Sequence, residues 1–280
     1  MCGYVNDAGL DVDLQDLMHQ LEKASSKHKG QRITKVFTSG SFFDENEVPP
    51  DFRKAVLSEF SKRSEKVIVE SLSIFATKEL VEEGVKTCGE FEVAFGLESA
   101  NPVTLRHSIN KPFGLEHHLK ASKIVHENGG TIKTYILIKP PFITEKEAIE
   151  DAVYSAEKVA GDSDTISFNP VNVQSRTLVN RLWKRGEYRP PWLWSVVEVL
   201  KRTKDLGPRV MSDPTAAGMV RGAHNCGKCD SKVAVAVKDF SLKLRKDFDD
   251  IDCECRERWL DLLDIEGVIQ TSLDLDRIFE

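Results

Sequence analysis

The sequence predicts an α/β protein whose parallel strands form either a barrel or an open, doubly wound sheet. Strand-like and helical segments alternate five times at regular spacing, which is typical of parallel strands joined by right-handed helical crossovers. Polar or small residues follow each of the five strands directly. In such folds the carboxyl ends of the strands line one rim, where binding and chemistry concentrate. The 280 residues also suffice for a well-buried core.

Five strands are predicted from short segments rich in β-branched and aromatic residues. They lie at residues 33–38, 66–70, 91–97, 131–138 and 164–169. Helices are predicted between them from apolar positions at helical spacing. They cover residues 11–26, the stretch after Pro49-Pro50, residues 78–85, the stretch through Leu119 up to Gly129-Gly130, and residues 144–160. Thr144 and Glu147 have capping-box spacing, which marks the start of the last helix.

The regular alternation ends after Asn169. Residues 176–189 are basic and aromatic, and Pro190-Pro191 leads into a further helix. Residues 204–210 fit a linker followed by a sixth strand. We predict two units, which are a barrel-like unit of residues 1–215 and a small cysteine-bearing unit of residues 216–280.

Charge and apolar content exclude some classes of protein. The formal net charge of −6 argues against a surface that coats nucleic acid generally, but it leaves room for a local basic site. No apolar run approaches the roughly 20 residues that span a bilayer, and the amino terminus lacks the apolar segment of a signal peptide. We therefore expect a cytoplasmic protein, in which the six cysteines serve as metal or redox ligands rather than as a disulfide framework.

Four of the six cysteines form two chelating pairs near the carboxyl end. Cys226 and Cys229 form a C-x-x-C motif, and Cys253 and Cys255 form a C-x-C motif. Two close thiolate pairs can complete a tetrahedral shell around one zinc ion. The same four thiolates can also hold an iron–sulfur cluster. We expect a metal site here and favour structural zinc over a cluster.

Motifs along the chain, taken in order, resemble those of the radical S-adenosylmethionine (SAM) family. They are Met1-Cys2-Gly3-Tyr4, Thr38-Ser39-Gly40-Ser41-Phe42, Glu70-Ser71, Gly96-Leu97-Glu98-Ser99 and Ser108-Ile109-Asn110-Lys111. A later group resembles RaSEA, the radical SAM enzymes of archaeosine biosynthesis. It comprises Lys139-Pro140-Pro141-Phe142, Asn169-Pro170 and the stretch from Tyr188 to Trp194. The resemblance covers essentially the whole chain.

This resemblance implies a partial (β/α)6 barrel that holds a [4Fe-4S] cluster by three cysteines, with SAM on the fourth site. It also implies a lyase that forms a 5′-deoxyadenosyl radical and acts on tRNA. The implied substrate carries 7-cyano-7-deazaguanine that the partner subunit ArcS has joined to lysine. Cleavage of a C–N bond of that adduct leaves archaeosine.

The resemblance further assigns roles to residues. Cys2 is expected to bind the cluster, and Tyr4 is expected near the cluster and the adenine of SAM. The segment that holds the SAM amino group is matched by Ser39, Gly40 and Ser41. Polar contacts to SAM are matched by Glu70, Glu98 and Ser99.

One departure from the family pattern concerns the cluster. The first two of the three cysteines, together with the first barrel strand, would precede Met1. We expect either that the chain begins at an internal methionine of a longer reading frame or that it has lost its cluster and its activity. We favour the first explanation, because the SAM-contact motifs persist.

Contacts to the substrate have further candidates. Lys139 and Asn169 stand at strand ends, and Arg176 opens a stretch with two interpretations. In one, residues 176–194 face tRNA, with cations on phosphates (Arg176, Arg181, Lys184, Arg185 and Arg189) and aromatic rings on bases (Trp183 and Tyr188). In the other, the aromatic residues pack against the open side of the barrel and the charges form a solvated helix face.

Two other functions stay open at this stage. In the first, the chain is a different radical SAM enzyme. In the second, it is a non-catalytic, zinc-bearing subunit with a degenerate barrel that binds RNA or a protein partner. We also expect Cys88 to be buried and inert. The histidines His107, His117 and His118 are expected to be surface or helix-cap residues.

Overall fold

The computed structural model describes residues 1–9, 11–38 and 40–269. Within them, six strands form one sheet in chain order, and each strand is parallel to its neighbours. The predicted α/β class with a partial (β/α)6 barrel is confirmed, and so is the sixth strand. The strands are β1 (Ile33–Val36), β2 (Lys66–Ser71), β3 (Glu90–Glu98), β4 (Thr131–Ile138), β5 (Thr165–Pro170) and β6 (Arg209–Ser212).

Helices connect the strands and cover one face of the sheet. They are α1 (Leu14–Lys27), α2 (Pro50–Ser61), α3 (Lys78–Cys88), α4 (Leu115–Glu127), α5 (Glu145–Val159), α6 (Leu178–Lys184), α7 (Leu193–Thr203), α8 (Asp230–Ser241) and α9 (Cys255–Ile269). A π-helix at Thr104–Ile109 lies between β3 and α4. In the part of the chain that is described, no helix has both the length and the apolar character that a membrane span requires.

Side-chain caps fix where the helices begin. Thr144 Oγ1 accepts a hydrogen bond from the Glu147 amide at 3.0 Å, and Glu147 Oε2 accepts one from the Thr144 amide at 2.7 Å. This capping box satisfies two amides at the start of α5 that the helix itself leaves unpaired. The start predicted from the sequence is therefore confirmed. Asp13 and Asp16 form the same arrangement at the start of α1.

The sheet has an apolar face under the helices and a polar concave face. Val67, Val93 and Phe95 are fully buried beneath the helices. Their neighbours in sequence face the other side, because successive residues of a strand alternate between faces. The parallel register aligns these neighbours across the sheet, with Glu70 beside Ala94, Gly96 beside Tyr135 and Tyr135 beside Ser167. The concave face thus presents charged and hydroxyl groups.

The cysteine-bearing end of the chain packs onto the barrel. Cys229, Val233 and Trp259 belong to the same buried apolar cluster as Leu193 and Ile166. The predicted boundary at residue 215 stays a prediction, and this apolar core continues across it.

Two polar side chains lie deep among the helices. Cys88 is buried, as predicted, and burial raises the pKa of its thiol to about 11. The prediction of a surface position was wrong for His118, because α4 turns this residue inward and exposes His117 instead. His118 Nε2 lies 3.1 Å from Thr134 Oγ1. Burial lowers the pKa of His118 to about 4, and the nearby charge of Lys111 adds to the effect.

The buried His118 should make the protein less stable in acid. The unfolded chain takes up the proton near pH 6.5 and the folded chain only near pH 4, so the free energy of unfolding falls as the pH is lowered through this window. The pKa difference corresponds to about 2 to 3 kcal/mol between pH 7 and pH 4.5. Urea unfolding at both pH values should show that His118→Gln loses less free energy of unfolding than the wild type does, by that amount. His117→Gln, which changes an exposed ring, should keep the wild-type pH dependence; an unchanged dependence in His118→Gln would contradict the assignment.

Candidate functional site

Backbone strain concentrates at one rim of the sheet. Seven non-glycine residues with positive φ occur among those described, and six of them lie at the carboxyl ends of β3–β6 or in the segments that follow. These are Glu98, Asn110, Lys139, Phe142, Arg176 and Ala216. Such conformations cost about 1 kcal/mol or more each and cluster at functional sites. The rim predicted from the strand ends is therefore also where the fold holds strained backbone.

The segment after β1 is tied to the end of β2. Ser41 is buried, and its Oγ lies 2.6 Å from Ser71 Oγ and accepts a hydrogen bond from the Leu72 amide at 3.2 Å. The Ser41 amide donates to Glu47 Oε2 at 2.7 Å. A Cβ atom at Gly40 would collide with the Glu47 carboxylate, so a larger residue there would displace it. Ser39, which was predicted to contact SAM, lies outside the described residues.

Lower on the concave face, a buried ion triad spans three strands. Lys66 Nζ lies 2.6 Å from Glu92 Oε2, and Lys133 Nζ lies 2.9 Å from Glu92 Oε1. Burial opposes ionisation of Glu92, but the two ammonium groups outweigh it and hold its pKa below the usual range. The triad joins β2, β3 and β4 beneath the rim.

Above the triad, the structure brings Glu70 and Glu98 together with Tyr135. Burial raises the pKa of Glu70, and the charge of Glu98 raises it further. The nearby Tyr135 hydroxyl favours the ionised form of Glu70 and so acts to lower its pKa. Burial also raises the pKa of Glu98. Glu70 and Glu98, which were both predicted to contact SAM, therefore share one pocket with the phenol of Tyr135.

Lys111 brings a positive charge to the same pocket. Its Nζ donates to the Gly96 carbonyl and lies 3.7 Å from Glu98 Oε1. Burial lowers the pKa of Lys111. The π-helix and left-handed Asn110 return the chain to this position. The pocket thus holds two acids, one phenol and one amine.

Ser99 lies on the other side of the sheet from Glu98. It is fully buried, and its hydroxyl donates to Asp151 Oδ1 of α5 at 3.0 Å. Thr104 Oγ1 donates to the same oxygen at 2.8 Å. These bonds fasten the segment after β3 to α5. A SAM contact by Ser99 stays a prediction.

The two strand-end candidates for substrate contact differ in their surroundings. Lys139 is buried, and its Nζ lies 2.6 Å from Glu145 Oε2. Its carbonyl accepts a hydrogen bond from the Tyr188 hydroxyl at 2.8 Å. Asn169 is half-buried on the concave face, in register with Leu137. Lys139 is therefore held in place, whereas Asn169 retains part of its surface.

The amino-terminal residues lie against the segment that follows β5. The Gly3 amide donates to Gln174 Oε1, and Met1 packs against the small cluster that contains Val173. Cys2 and Tyr4 are exposed. In residues 1–9, 11–38 and 40–269, Cys2 belongs to no group of three or more potential metal ligands. The described residues thus do not fit the three-thiolate set that the family pattern requires.

The four carboxyl-terminal cysteines, in contrast, meet at one point. Sγ–Sγ distances are 3.9 Å for Cys226–Cys229, 3.8 Å for Cys226–Cys253 and 3.6 Å for Cys229–Cys255. Four thiolates bonded to one zinc ion at about 2.3 Å would be separated by about 3.8 Å. The arrangement fits a single tetrahedral ion. A four-iron cluster places several metal ions between its thiolates and needs a wider separation.

Polar groups hydrogen-bond to sulfurs of this tetrathiolate site, whereas burial raises the pKa of the Cys229 and Cys255 thiols. Burial opposes ionisation of Cys226, but backbone amides of Cys229 and Lys228 donate to it, and they contribute to lowering its pKa to about 7. Asn225 Nδ2 donates to Cys229 Sγ at 3.3 Å, and Trp194 Nε1 donates to Cys255 Sγ at 3.2 Å. Hydrogen bonds to sulfur of this kind orient metal ligands.

In the basic and aromatic stretch of residues 176–194, some side chains pack within the protein and others are exposed, so each of the two interpretations fits part of it. Arg189 stacks on Trp192 at 4.2 Å and donates to the His224 carbonyl at 2.8 Å, and Tyr188 is buried. These side chains make their contacts within the protein. Four exposed cations of the stretch make no ion pair with any described residue, and they are Arg176, Arg181, Lys184 and Arg185.

Sequence reasoning missed Tyr135, Lys111 and Glu145. Tyr135 had a usable signal, since it alternates with Lys133 along β4 and so shares a face with it. Lys111 was quoted only as part of a motif. Glu145 had no local signal, because its partners Trp192 and Ser195 lie far along the chain.

No family model matches the chain. It is 43% identical over 290 residues to the archaeosine synthase subunit beta of Methanosarcina acetivorans, covering 99% of this chain and 83% of that protein. It is 38% identical over 271 residues to the protein of the same name from Thermococcus kodakarensis, covering 92% and 84%. Among solved structures, it resembles the archaeal Methanocaldococcus infernus Elp3 with a TM-score of 0.58 at 18% identity. That match covers 81% of this chain and 57% of the Elp3 chain, and it supports the fold alone.

Proposed function

This chain belongs to the family of archaeosine synthase subunit beta, and from that premise we propose that it serves in radical SAM modification of tRNA. The observation that carries the proposal is the pocket formed by Glu70, Glu98, Tyr135 and Lys111. SAM bears an amino group, which carboxylates bind through charge-assisted hydrogen bonds, and a carboxylate, which a lysine binds. Two acids and one lysine on the concave face suit both groups.

Other parts of the rim complete the proposed SAM site. Gly40 and Ser41 approach from the end of β1, and Cys2 and Tyr4 come from the amino-terminal segment. For Cys2, Tyr4, Ser39 and Ser99 the proposal rests on the resemblance of their motifs. Cys2 alone does not supply a cluster, so no step is assigned to one.

The proposed reaction is that of an archaeosine synthase lyase. Its substrate is tRNA carrying the lysine adduct of 7-cyano-7-deazaguanine, and a C–N bond of the adduct is broken. The partner is an ArcS-type subunit that supplies this adduct. Lys139 and Asn169 are the proposed contacts at the ends of β4 and β5.

For the four carboxyl-terminal thiolates we propose zinc. Three of the sulfur separations are 3.6 to 3.9 Å and all four sulfurs lie within 4.8 Å of one another, which supports a single ion rather than a cluster. Bound zinc would be structural, because four protein ligands leave no open position for substrate.

The proposed tRNA surface consists of exposed cations of α6 and of the residues that flank it, namely Arg176, Arg181, Lys184 and Arg185. Replacing Arg181, Lys184 and Arg185 together with glutamine should weaken tRNA binding about 10- to 100-fold near 0.1 M salt, because phosphate contacts dominate such affinities. The slope of log K against log salt should shrink by about 2 to 3. Filter binding over a range of salt concentrations measures both.

The matched control is the triple change Lys120→Gln, Lys204→Gln and Lys238→Gln, which removes the same charge from exposed positions elsewhere. It should keep the affinity within about threefold. Equal losses in the two triple variants would show that total charge, and not the α6 surface, governs binding.

Nucleoside analysis tests the reaction itself. After anaerobic reconstitution with iron and sulfide, the chain is incubated with SAM, a reductant, the partner subunit and tRNA carrying the lysine adduct. In samples in which a cluster is verified, mass spectrometry should show the adduct replaced by archaeosine, and in samples without a cluster the adduct should persist. Persistence of the adduct in samples with a verified cluster would contradict the proposed reaction.

A second function is favoured by one observation. The tetrathiolate site is complete, whereas Cys2 has no companion ligands among the described residues. This contrast fits a zinc-bearing subunit that binds tRNA without catalysing the reaction. Failure to assemble a cluster, together with intact tRNA binding and one zinc ion per chain, would support it.

A further inference from the structure

We propose that the tetrathiolate site is a positioning device for the rim, and that it fixes Lys139 through α9 and Glu145. The inference rests on the proposed function only in treating the rim as the reaction site. It is carried by the first turn of α9, which joins Cys255 to Trp259, and by a series of buried hydrogen bonds from Trp259 to Lys139 at the end of β4.

The connection begins at the first residue of α9. Cys255 is a ligand of the tetrathiolate site and also starts the helix. One turn later, Trp259 is buried and its Nε1 donates to Ser195 Oγ of α7 at 2.9 Å. Because a metal ion would fix Cys255, it would also fix the position of the Trp259 indole.

Ser195 connects Trp259 to Glu145. The Ser195 hydroxyl donates to Glu145 Oε1 at 2.5 Å, and the Trp192 amide donates to the same oxygen at 2.6 Å. Glu145 is completely buried and opens α5. Its own amide donates to Glu266 Oε2 at 2.7 Å, so α9 makes a second contact with the start of α5.

Glu145 in turn holds Lys139. Its Oε2 lies 2.6 Å from Lys139 Nζ, and the Tyr188 hydroxyl holds the Lys139 carbonyl. Lys139 has φ of 58°, a strained conformation that persists only where its surroundings enforce it. A buried carboxylate that loses a hydrogen-bond donor costs free energy in the folded state. Loss of one contact of Glu145 therefore destabilises its other contacts as well. Release of α9 would therefore loosen the end of β4.

Hydrogen–deuterium exchange on the full chain tests this link without SAM or tRNA. Removing the metal with a chelator should raise amide exchange about tenfold or more in residues 255–266 and also in residues 139–148. Exchange in residues 66–71 of β2 should stay unchanged. If only residues 226–266 loosen, the metal has a local role and the inference is overturned.

A conservative variant tests the link with the metal in place. Trp259→Phe keeps an aromatic ring but removes the indole N–H that Ser195 accepts. With one zinc ion still bound per chain, this variant should raise exchange in residues 139–148 and leave residues 226–229 protected. Trp183→Phe, which changes a tryptophan outside the series, is the control and should alter neither segment. Unchanged exchange in residues 139–148 of Trp259→Phe would overturn the inference, whatever the outcome of the nucleoside analysis.

Discussion

Replacing Cys229 and Cys255 with serine should abolish zinc binding and lower the melting temperature by about 10 °C or more. Both thiols are buried and draw two helices to one point, α8 after Cys229 and α9 from Cys255. The unfolded chain has no preformed site, so the free energy of metal binding adds to the free energy of unfolding. For a chain of this size, each 1 kcal/mol shifts the melting temperature by about 2 to 4 °C. Elemental analysis and thermal unfolding of the purified protein measure both effects.

Cys2→Ser is the matched control for this prediction. It removes an exposed thiol outside the tetrathiolate site, so zinc content and melting temperature should match the wild type. Added zinc should stabilise metal-depleted wild-type protein and leave the double variant unchanged, since only a ligand that binds the folded state raises its stability. Wild-type protein without zinc or iron would contradict the metal site.

The fold was largely predictable because its signals are local. Alternating strands and helices, the capping box at Thr144 and the close cysteine pairs each depend on residues near one another in sequence. The contacts that define the site are not local. Glu145 meets Trp192 and Ser195 across about 50 positions, and nothing in the sequence near Glu145 announces them.

Two site predictions turned on which way a single residue faces. Glu98 and Ser99 were both predicted to contact SAM, but neighbours on a strand point to opposite faces. Glu98 enters the concave pocket, and Ser99 binds Asp151 beneath the helices. His117 and His118 divide in the same manner on α4, because a helix places adjacent residues about 100° apart. Assigning a face to each residue would have predicted these different positions, and a SAM contact by Ser99 stays a prediction.

The pH dependence of SAM binding follows from the same pocket. Burial raises the pKa of both Glu70 and Glu98, so each carboxylate is neutralised at a higher pH than an exposed glutamate would be. A neutral acid no longer attracts the SAM amino group. The affinity for SAM, measured by equilibrium dialysis over a range of pH, should therefore fall as the pH is lowered through the raised pKa values and rise again as the pH is raised through them.

Equilibrium dialysis of SAM against the 280-residue chain tests the central claim most directly. We expect saturable binding, weakened about 10- to 100-fold in Glu98→Gln and in Glu70→Gln, because each loses a charge-assisted hydrogen bond. Glu116→Gln, an exposed change on α4, should bind as the wild type does. Urea unfolding of each variant confirms that the fold is kept. No saturable binding by the wild type, or equal affinity in all four proteins, would contradict the assignment of the concave pocket to SAM.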